Sequence, residues 1–291
     1  MTDRVTSVRA LLRDTVERVG DRSVARWLCE VATGLDGDEL TAAFDDPVSD
    51  RMVAHLDAML ARRDAGEPLQ YVLGRWGFRR LDLAVDRRVL IPRPETELVA
   101  GAAIELATEV HRRAGAVAVA DLGTGSGAIG LALADELPLD GVEVWITDVS
   151  DDALDVARAN LAGIGRRAVN VRVAAGWWFD ALPPGAMFDV VVSNPPYVAV
   201  GSSEIEPGVS GWEPAAALYA GADGLDDVRV LVAGAPERLR AGGWLVLEIG
   251  ADQGAAAAAL LRDRGYTDVE VRPDLAGRDR IALGRRSGTI G

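Results

Sequence analysis

The tetrapeptide Asn194-Pro195-Pro196-Tyr197 has the residue types and the spacing to hold a planar nitrogen nucleophile. It follows the apolar run 188–193, which predicts a buried parallel strand, so it should lie at the sheet edge where α/β proteins bind ligands. Two consecutive prolines remove two N–H donors and stiffen the turn, which leaves carbonyl acceptors beside a short amide and an aromatic ring. An ordinary proline turn at the end of a strand remains the alternative for the tetrapeptide taken alone.

A second candidate site is the glycine-rich segment 123–127, which follows the predicted strand 117–121 and leads into a helix predicted from Ser126. Glycines let the backbone approach a ligand closely, and a helix N-terminus attracts anions. Residues 125–130 fit G-x-G-x-x-G, the dinucleotide fingerprint, so a nicotinamide dinucleotide is one possible ligand. The other is S-adenosylmethionine, because the carboxylate of Asp121 would repel a pyrophosphate but can pair with an ammonium directly or through water.

Asp148 ends the next predicted strand, where its carboxylate is placed to accept hydrogen bonds from two ribose hydroxyls. Both candidate ligands carry a ribose, so this residue does not separate them. The glycine segment and Asp148 together predict a nucleoside-containing cofactor and leave its identity open.

The composition of the chain restricts the classes of molecule that it is expected to bind. The 291 residues carry 31 positive and 45 negative side chains, a net charge of −14, and every positive side chain is arginine. Proteins that grip nucleic acid backbones present basic patches, so the acidity disfavours a nucleic acid partner. No apolar run reaches the roughly 18 residues of a membrane span. The single Cys29 excludes an internal disulfide and fits a reducing cytoplasm, and two distant histidines do not predict a metal site.

The order of the predicted elements indicates two parts. Residues up to about 64 show short amphipathic helices, the second with Ser23 as its predicted N-cap. Alternating apolar residues predict a β-hairpin over about 76–91, and a helix is expected over 98–113. From 117 onward strands and helices alternate up to a final strand pair near 268–285, which predicts a parallel sheet with helices on both faces.

With both motifs in view, the chain resembles the HemK/PrmC family, the protein-(glutamine-N5) methyltransferases that act on peptide chain release factors. The resemblance covers nearly the whole length, and its most specific part is the phrase LIPRPETE at 90–97. The tetrapeptide NPPY is shared with adenine-N6 methyltransferases and therefore indicates planar-amine chemistry without fixing the substrate. Further matching segments are 68–74, 121–129, 148–150, 153–154, 212–214, 248–250, 253–254 and 274–280.

That resemblance implies an α/β fold: a Rossmann-like, seven-stranded class I methyltransferase domain with an antiparallel last strand, a small N-terminal all-helical domain and a β-hairpin linker. We expect the helical substrate-recognition domain over 1–72, the linker over 73–93 and the S-adenosylmethionine-dependent domain over 94–291. Trp178 is expected along the adenine. The full set of predicted cofactor-binding residues is Asp121, Gly123, Thr124, Gly125, Ser126, Gly127, Asp148, Trp178 and Asn194.

The predicted reaction is methyl transfer from S-adenosylmethionine, leaving S-adenosylhomocysteine, to the side-chain amide of a glutamine in the Gly-Gly-Gln loop of a release factor. Asn194, Pro195 and Tyr197 are the predicted catalytic residues. The alternatives are an adenine-N6 nucleic acid methyltransferase, a dinucleotide-dependent dehydrogenase and a non-catalytic binding protein. We expect a cytoplasmic monomer without metal, membrane contact or direct nucleic acid contact. Substrate contacts are predicted for Asn194, Pro195, Pro196, Tyr197, Arg93, Glu95 and Thr96.

The adenine side of the pocket and the substrate entrance are less completely defined by the sequence. The family often has an aspartate before the adenine-side aromatic, and this chain has Trp177 there, so the acceptor for the adenine amino group is not identified. Arg93, Glu95 and Thr96 are expected to line or brace the substrate entrance, with a salt-bridged cap as the structural alternative.

Overall fold

The computed structural model describes residues 7–201 and 211–288. Its internal contacts divide the chain into two compact units, the first ending at Gly74 and the second beginning at Arg75. Within the described residues no helix is both long enough and apolar enough to cross a membrane.

The first unit is helical, and side-chain caps set where its helices begin. Ser7 accepts a hydrogen bond from the amide of Ala10, and the prediction that Ser23 caps the second helix is wrong. Asp21 caps it instead, because its carboxylate accepts hydrogen bonds from the amides of Ser23 and Val24 and so starts the helix two residues earlier. The helices of this unit are α1 (Val8–Val19), α2 (Arg22–Thr33), α3 (Asp38–Ala42), α4 (Asp50–Asp64) and α5 (Leu69–Leu73).

The core of the first unit forms where the apolar stripes of these helices meet. Leu28 and Cys29 of α2 are fully buried. Arg62 of α4 pairs with Glu67 and donates to the carbonyl of Tyr71, so the guanidinium ties the end of α4 to α5.

A β-hairpin opens the second unit. Its strands are β1 (Arg75–Phe78) and β2 (Leu81–Ala84), shorter than the predicted 76–91. The chain leaves the strand conformation after β2, where the amide of Val89 closes a turn on the carbonyl of Asp86. Asn160 fixes the hairpin, since its side chain bonds both backbone groups of Ala84 and also the carbonyl of Ser126 in the glycine segment.

The remainder of the second unit is one seven-stranded sheet in the order β5-β4-β3-β6-β7-β9-β8. All strand pairs up to β7 are parallel, and β9 runs antiparallel to both of its neighbours, as the resemblance implied. The strands are β3 (Val117–Leu122), β4 (Val142–Asp148), β5 (Val171–Ala175), β6 (Phe188–Ser193), β7 (Leu239–Glu248), β8 (Tyr266–Pro273) and β9 (Asp279–Arg286).

Helices alternate with these strands and pack on both faces of the sheet, in two hydrophobic clusters. The long helix predicted over 98–113 begins at Pro94, because proline is well suited to the first helical turn, and it ends before Gly115 in the left-handed conformation. The helices are α6 (Pro94–Ala114), α7 (Ala128–Glu136), α8 (Asp151–Gly163), α9 (Asp226–Gly234) and α10 (Gly254–Asp263).

The order of the strands places both motifs at one edge. β3 and β6 are central neighbours, so the glycine segment and the NPPY tetrapeptide leave the sheet side by side. The buried hydroxyl of Ser193 donates to the carbonyl of Leu122 at 2.7 Å and ties the two strand ends together.

Candidate active site

A cavity of about 390 Å³ lies at the carboxyl ends of β3, β4 and β6. This volume suits a small organic ligand. Seven of the predicted cofactor residues line it, one of which, Asn194, is also a predicted substrate residue, together with two further predicted substrate residues. They are Gly123, Thr124, Gly125, Ser126, Asp148, Trp178 and Asn194, with Thr96 and Pro196.

The glycine loop forms one wall of the cavity. Gly123 and Gly125 have φ angles of 71° and 56°, in the left-handed region that favours glycine. The amide of Gly125 donates to Asp148 Oδ2 at 2.9 Å, and the amide of Ser150 donates to Oδ1 of the same carboxylate. Asp148 therefore links the loop to the end of β4, and its remaining lone pairs lie at the cavity wall.

Asp121, a predicted cofactor residue, lies beneath this loop and does not line the cavity. Its Oδ2 accepts from Thr124 Oγ1 at 2.6 Å and from the amide of Gly130 at 2.8 Å, while its buried Oδ1 has no partner in the described part of the chain. Burial raises the pKa of Asp121 to about 7. The carboxylate thus holds the loop against the start of α7 and does not face a ligand directly.

Gly127 and Gly130 support the loop from below. Gly127 precedes α7 at φ 88°, and a Cβ at Gly130 would lie 2.2 Å from Ile146 Cγ2. The third glycine of the G-x-G-x-x-G match therefore allows close packing of the helix on the sheet, which either predicted ligand would require. The glycine spacing does not identify the ligand.

Trp178 covers the opposite side of Gly123, in the direction predicted for the adenine. It is nearly buried at φ 43°, a strained conformation for a non-glycine residue and one that is frequent at functional sites. Its Nε1 donates to Asp227 Oδ1 at 3.2 Å, and Asp227 also lines the cavity. Trp177 is about half exposed and stands edge-on to Trp178 with the ring centroids 5.8 Å apart.

Asp227 is a cavity residue that the sequence did not single out. Burial raises its pKa, and Trp178 satisfies one of its carboxylate oxygens. In the sequence it is one of two adjacent acids at the start of α9, a position where aspartate is common because it stabilises the helix N-terminus. Only the fold shows that one of the two faces the cavity.

The NPPY tetrapeptide forms the wall opposite the glycine loop. Asn194 Nδ2 donates to Thr96 Oγ1 at 3.3 Å, and both residues line the cavity with Pro196. Pro195 is buried behind them. Tyr197 points away from the cavity wall: its hydroxyl donates to Glu248 Oε1 at 3.3 Å, and burial raises its pKa.

The LIPRPETE segment supplies supporting contacts. Arg93 Nη2 donates to Glu213 Oε2 at 2.6 Å, and the enclosed Glu213 also accepts the amide of Ile91. Glu95 pairs with Arg278 at 3.2 Å. Of the three residues predicted at the substrate entrance, only Thr96 lines the cavity, while Arg93 and Glu95 form the ion pairs that the structural alternative described.

Glu248, at the end of β7, is fully enclosed. Burial raises its pKa to about 7, and Oε2 has no hydrogen-bond partner of good geometry in the described residues. Across 7–201 and 211–288, no cluster of three potential metal ligands occurs.

Each of the two units matches its own family model. A family model for the PrmC N-terminal domain matches residues 6–74, and one for the methyltransferase small domain matches residues 100–206. The crystal structure of a methyltransferase from Pyrococcus furiosus is 18% identical with a TM-score of 0.50, covering 79% of this chain and 98% of that one. A human methyltransferase 10 domain containing protein has a TM-score of 0.51 at 18% identity, covering 84% of this chain and all of the other.

The fold and the position of the cavity define a class I methyltransferase. Among relatives, the release factor glutamine methyltransferase of Xylella fastidiosa (strain Temecula1) is 43% identical over 96% of this chain and 98% of its own length. That of Neisseria gonorrhoeae is 40% identical over 90% of this chain and 92% of its own. The chain belongs to the release factor glutamine methyltransferase family.

Proposed function

We propose that this enzyme transfers a methyl group from S-adenosylmethionine to the side-chain amide nitrogen (N5) of a glutamine in the Gly-Gly-Gln loop of a peptide chain release factor. The observation that carries the proposal is that Asn194 and the glycine loop line the same cavity, because they follow the neighbouring strands β6 and β3. The names of relatives at 40–43% identity support the choice of substrate. We expect it to act as a cytoplasmic monomer.

The cavity fits this cofactor. Left-handed glycines leave room for its amino-acid end, Asp148 has lone pairs for the ribose hydroxyls, and Trp178 offers an apolar face for the adenine. Asp227 supplies a carboxylate beside Trp178. It accepts from the adenine amino group in place of the family's aspartate, because Trp177 occupies the position of that aspartate in this chain. Bound there, the cofactor supplies an electrophilic sulfonium methyl.

The residues of NPPY orient the nucleophile. The lone pair of an amide nitrogen is delocalised, so positioning must provide much of the rate. Asn194 Oδ1 and the Pro195 carbonyl accept the two N–H groups of the glutamine amide, and the same acceptors stabilise positive charge as it develops on nitrogen. The hydrogen bond from the Tyr197 hydroxyl to Glu248 holds the end of the turn and so keeps these acceptors in position. No strong general base is required, because the product proton is acidic enough to leave to water.

The direct test is mass spectrometry of a bacterial release factor after incubation with the enzyme and S-adenosylmethionine. We expect one added methyl group, located on the glutamine of the Gly-Gly-Gln loop. A release factor with that glutamine replaced by asparagine is the substrate control, and Asn194→Ala is the enzyme control. Methylation of an adenine-containing oligonucleotide without methylation of the release factor would establish the adenine-N6 alternative instead.

A further inference from the structure

The strand that ends beside the NPPY turn carries a glutamate with no assigned task. Glu248 is the last residue of β7, which pairs in parallel with β6, and its side chain is 0% exposed. A buried carboxylate is costly unless hydrogen bonds hold it. Its Oε1 accepts a hydrogen bond from the hydroxyl of Tyr197, the last residue of the tetrapeptide, with 3.3 Å between the two oxygens.

A second contact reaches the first residue of the tetrapeptide. Thr96, in the first turn of α6, accepts a hydrogen bond from Asn194 Nδ2 on its Oγ1. The Thr96 hydroxyl is also close enough to Glu248 to lower the pKa of that carboxyl, although Oε2 lacks a partner of good hydrogen-bond geometry. Glu248 therefore bonds the last residue of the tetrapeptide, and Thr96, which bonds the first residue, lies beside the same buried carboxylate.

The direction of these hydrogen bonds decides which end of the Asn194 amide faces the cavity. A hydroxyl has one proton to donate, and an ionised carboxylate can only accept. When Thr96 gives its proton to Glu248, its oxygen is left as an acceptor and selects the NH₂ group of Asn194. The amide oxygen Oδ1 is then turned away from Thr96, toward the space where an N–H donor must bind.

We propose that Glu248 is a positioning residue: through Thr96 it fixes the orientation of the Asn194 amide, and through Tyr197 it anchors the other end of the NPPY turn. The role rests on the proposed function, because Oδ1 is useful only to a substrate that donates N–H groups. A protonated Glu248 would donate to Thr96 Oγ1, and the freed Thr96 proton would then favour the amide oxygen of Asn194 over its NH₂ group.

The charged surroundings of Glu248 set the pH range in which this matters. Burial raises its pKa to about 7, Arg280 of β9 and the contacts with Thr96 and Tyr197 lower it, and Glu95 of α6 raises it. Near neutral pH the carboxyl therefore changes between an ionised form that can only accept hydrogen bonds and a protonated form that can donate one. Turnover should fall as the pH falls through this pKa.

Three substitutions in the full-length enzyme separate positioning from packing. Thr96→Val keeps the shape and removes the hydroxyl, Thr96→Ser keeps the hydroxyl, and Glu248→Gln keeps the shape and removes the charge. We expect Thr96→Val and Glu248→Gln to lower kcat on the release factor about tenfold or more, as for loss of a reacting-site hydrogen bond. Thr96→Ser should retain most of kcat, and the dissociation constant for S-adenosylhomocysteine should stay within about threefold in all three.

The pH profile of kcat separates positioning from a purely structural role of Glu248, because a structural role would leave the profile unchanged. In the wild type kcat should decrease on the acid side of about pH 7, and Glu248→Gln should lose that decrease. Glu136→Gln is the matched control, since Glu136 pairs with Arg79 at the far end of α7 and does not line the cavity. Equal kcat values in Thr96→Val and Thr96→Ser, or an unchanged acid limb in Glu248→Gln, would overturn the proposal.

Nuclear magnetic resonance tests the orientation independently of methylation. The side-chain amide signals of Asn194 are identified by their loss in Asn194→Ala. We expect them to shift with pH in the wild type, and to lie elsewhere without such a shift in Glu248→Gln, while Glu136→Gln leaves them unchanged. If these signals behave as expected but no release factor is methylated, the proposed function fails, while the control of the Asn194 amide orientation by Glu248 is supported. Signals that do not respond to Glu248 refute the positioning role and leave the proposed function intact.

Discussion

The two walls of the cavity are each supported by a buried carboxylate at a strand end. Asp121 lies beneath the glycine loop at the end of β3, and Glu248 lies behind the NPPY turn at the end of β7. Burial raises the pKa of each to about 7. Each also has one oxygen without a good partner in the described residues. In burial and in protonation the two groups are closely alike.

The two carboxylates differ in the groups that they contact. Asp121 bonds a hydroxyl and a backbone amide from its own loop and helix, Thr124 and Gly130. Glu248 contacts side chains from two other segments, Tyr197 after β6 and Thr96 in α6. The first carboxylate therefore fixes a backbone shape, and the second fixes the orientation of side chains. Changes near Asp121 should alter cofactor binding and stability, whereas changes near Glu248 should alter turnover.

The largest effect is expected on the turnover side. Asn194→Ala should lower kcat by about 10²–10³-fold, because it removes an acceptor aimed at the developing charge. The affinity for S-adenosylhomocysteine, measured by isothermal titration calorimetry, should fall by less than about tenfold. Asn170→Ala is the control, since Asn170 donates to the carbonyl of Leu139 and does not line the cavity. Near-wild-type methylation by Asn194→Ala would contradict the assigned role.

The second prediction concerns stability and the Asp121 side. A carboxyl whose pKa is raised on folding stabilises the protein below its unfolded-state pKa, and this contribution is lost as the pH rises through the folded-state pKa. For Asp121 the window runs from about 4 to about 7, and the full contribution is roughly 4 kcal/mol. Asp121→Asn should therefore flatten the decrease in unfolding free energy between pH 5 and pH 7.5.

Urea denaturation followed by tryptophan fluorescence at the two pH values measures this difference. Asp263→Asn, on the exposed side of α10, is the control and should keep the wild-type pH dependence. If Asp121→Asn retains the full decrease, the carboxylate of Asp121 is ionised at low pH in the folded protein and the buried-acid description is wrong.

A smaller effect is expected at Asp227, the acceptor beside Trp178. Asp227→Ala should weaken S-adenosylhomocysteine binding by about tenfold, the value of one hydrogen bond to a charged group, and leave kcat at saturating cofactor nearly unchanged. The neighbouring Asp226 pairs with Arg229 and does not line the cavity, so Asp226→Ala should bind within about twofold of the wild type. Equal affinities in the two variants would mean that adenine is held by packing on Trp178 alone.

The contrast between the two carboxylates also explains what the sequence could predict. The glycine loop, Asp148 and the NPPY turn each follow a strand directly, so the parallel sheet and both cavity walls could be predicted from local patterns. The seven strands and the antiparallel last strand were implied by the family resemblance. Glu248 and Asp227 could not be found in this way. Each sits in an ordinary context, the end of an apolar strand or the first turn of a helix, and gains a role only from residues far away in the chain.

Two predicted boundaries, the start of α2 and the end of the hairpin, are wrong for local reasons. Ser23 was a plausible cap, but Asp21 two residues earlier provides a stronger acceptor for the helix amides. The hairpin was predicted too long because alternation continues past Ala84, while the turn at Asp86–Val89 closes the chain there. Asp121 stays a predicted cofactor residue, and the loop folds over its carboxylate, so this side chain does not line the cavity.

The smallest prediction tests the surroundings of Glu248 through Glu95. Glu95 pairs with Arg278 near the surface, and its negative charge raises the pKa of Glu248. Replacing it by glutamine should therefore shift the acid limb of kcat to lower pH, by less than about half a unit because the interaction is partly screened by solvent. The pH profile of Glu95→Gln measures the shift, and Glu97→Gln, which keeps an acceptor for the Arg79 amide, should leave the limb in place. A shift to higher pH would mean that the limb reports a group other than Glu248, and a large rise in KM for the release factor would restore Glu95 to direct substrate contact.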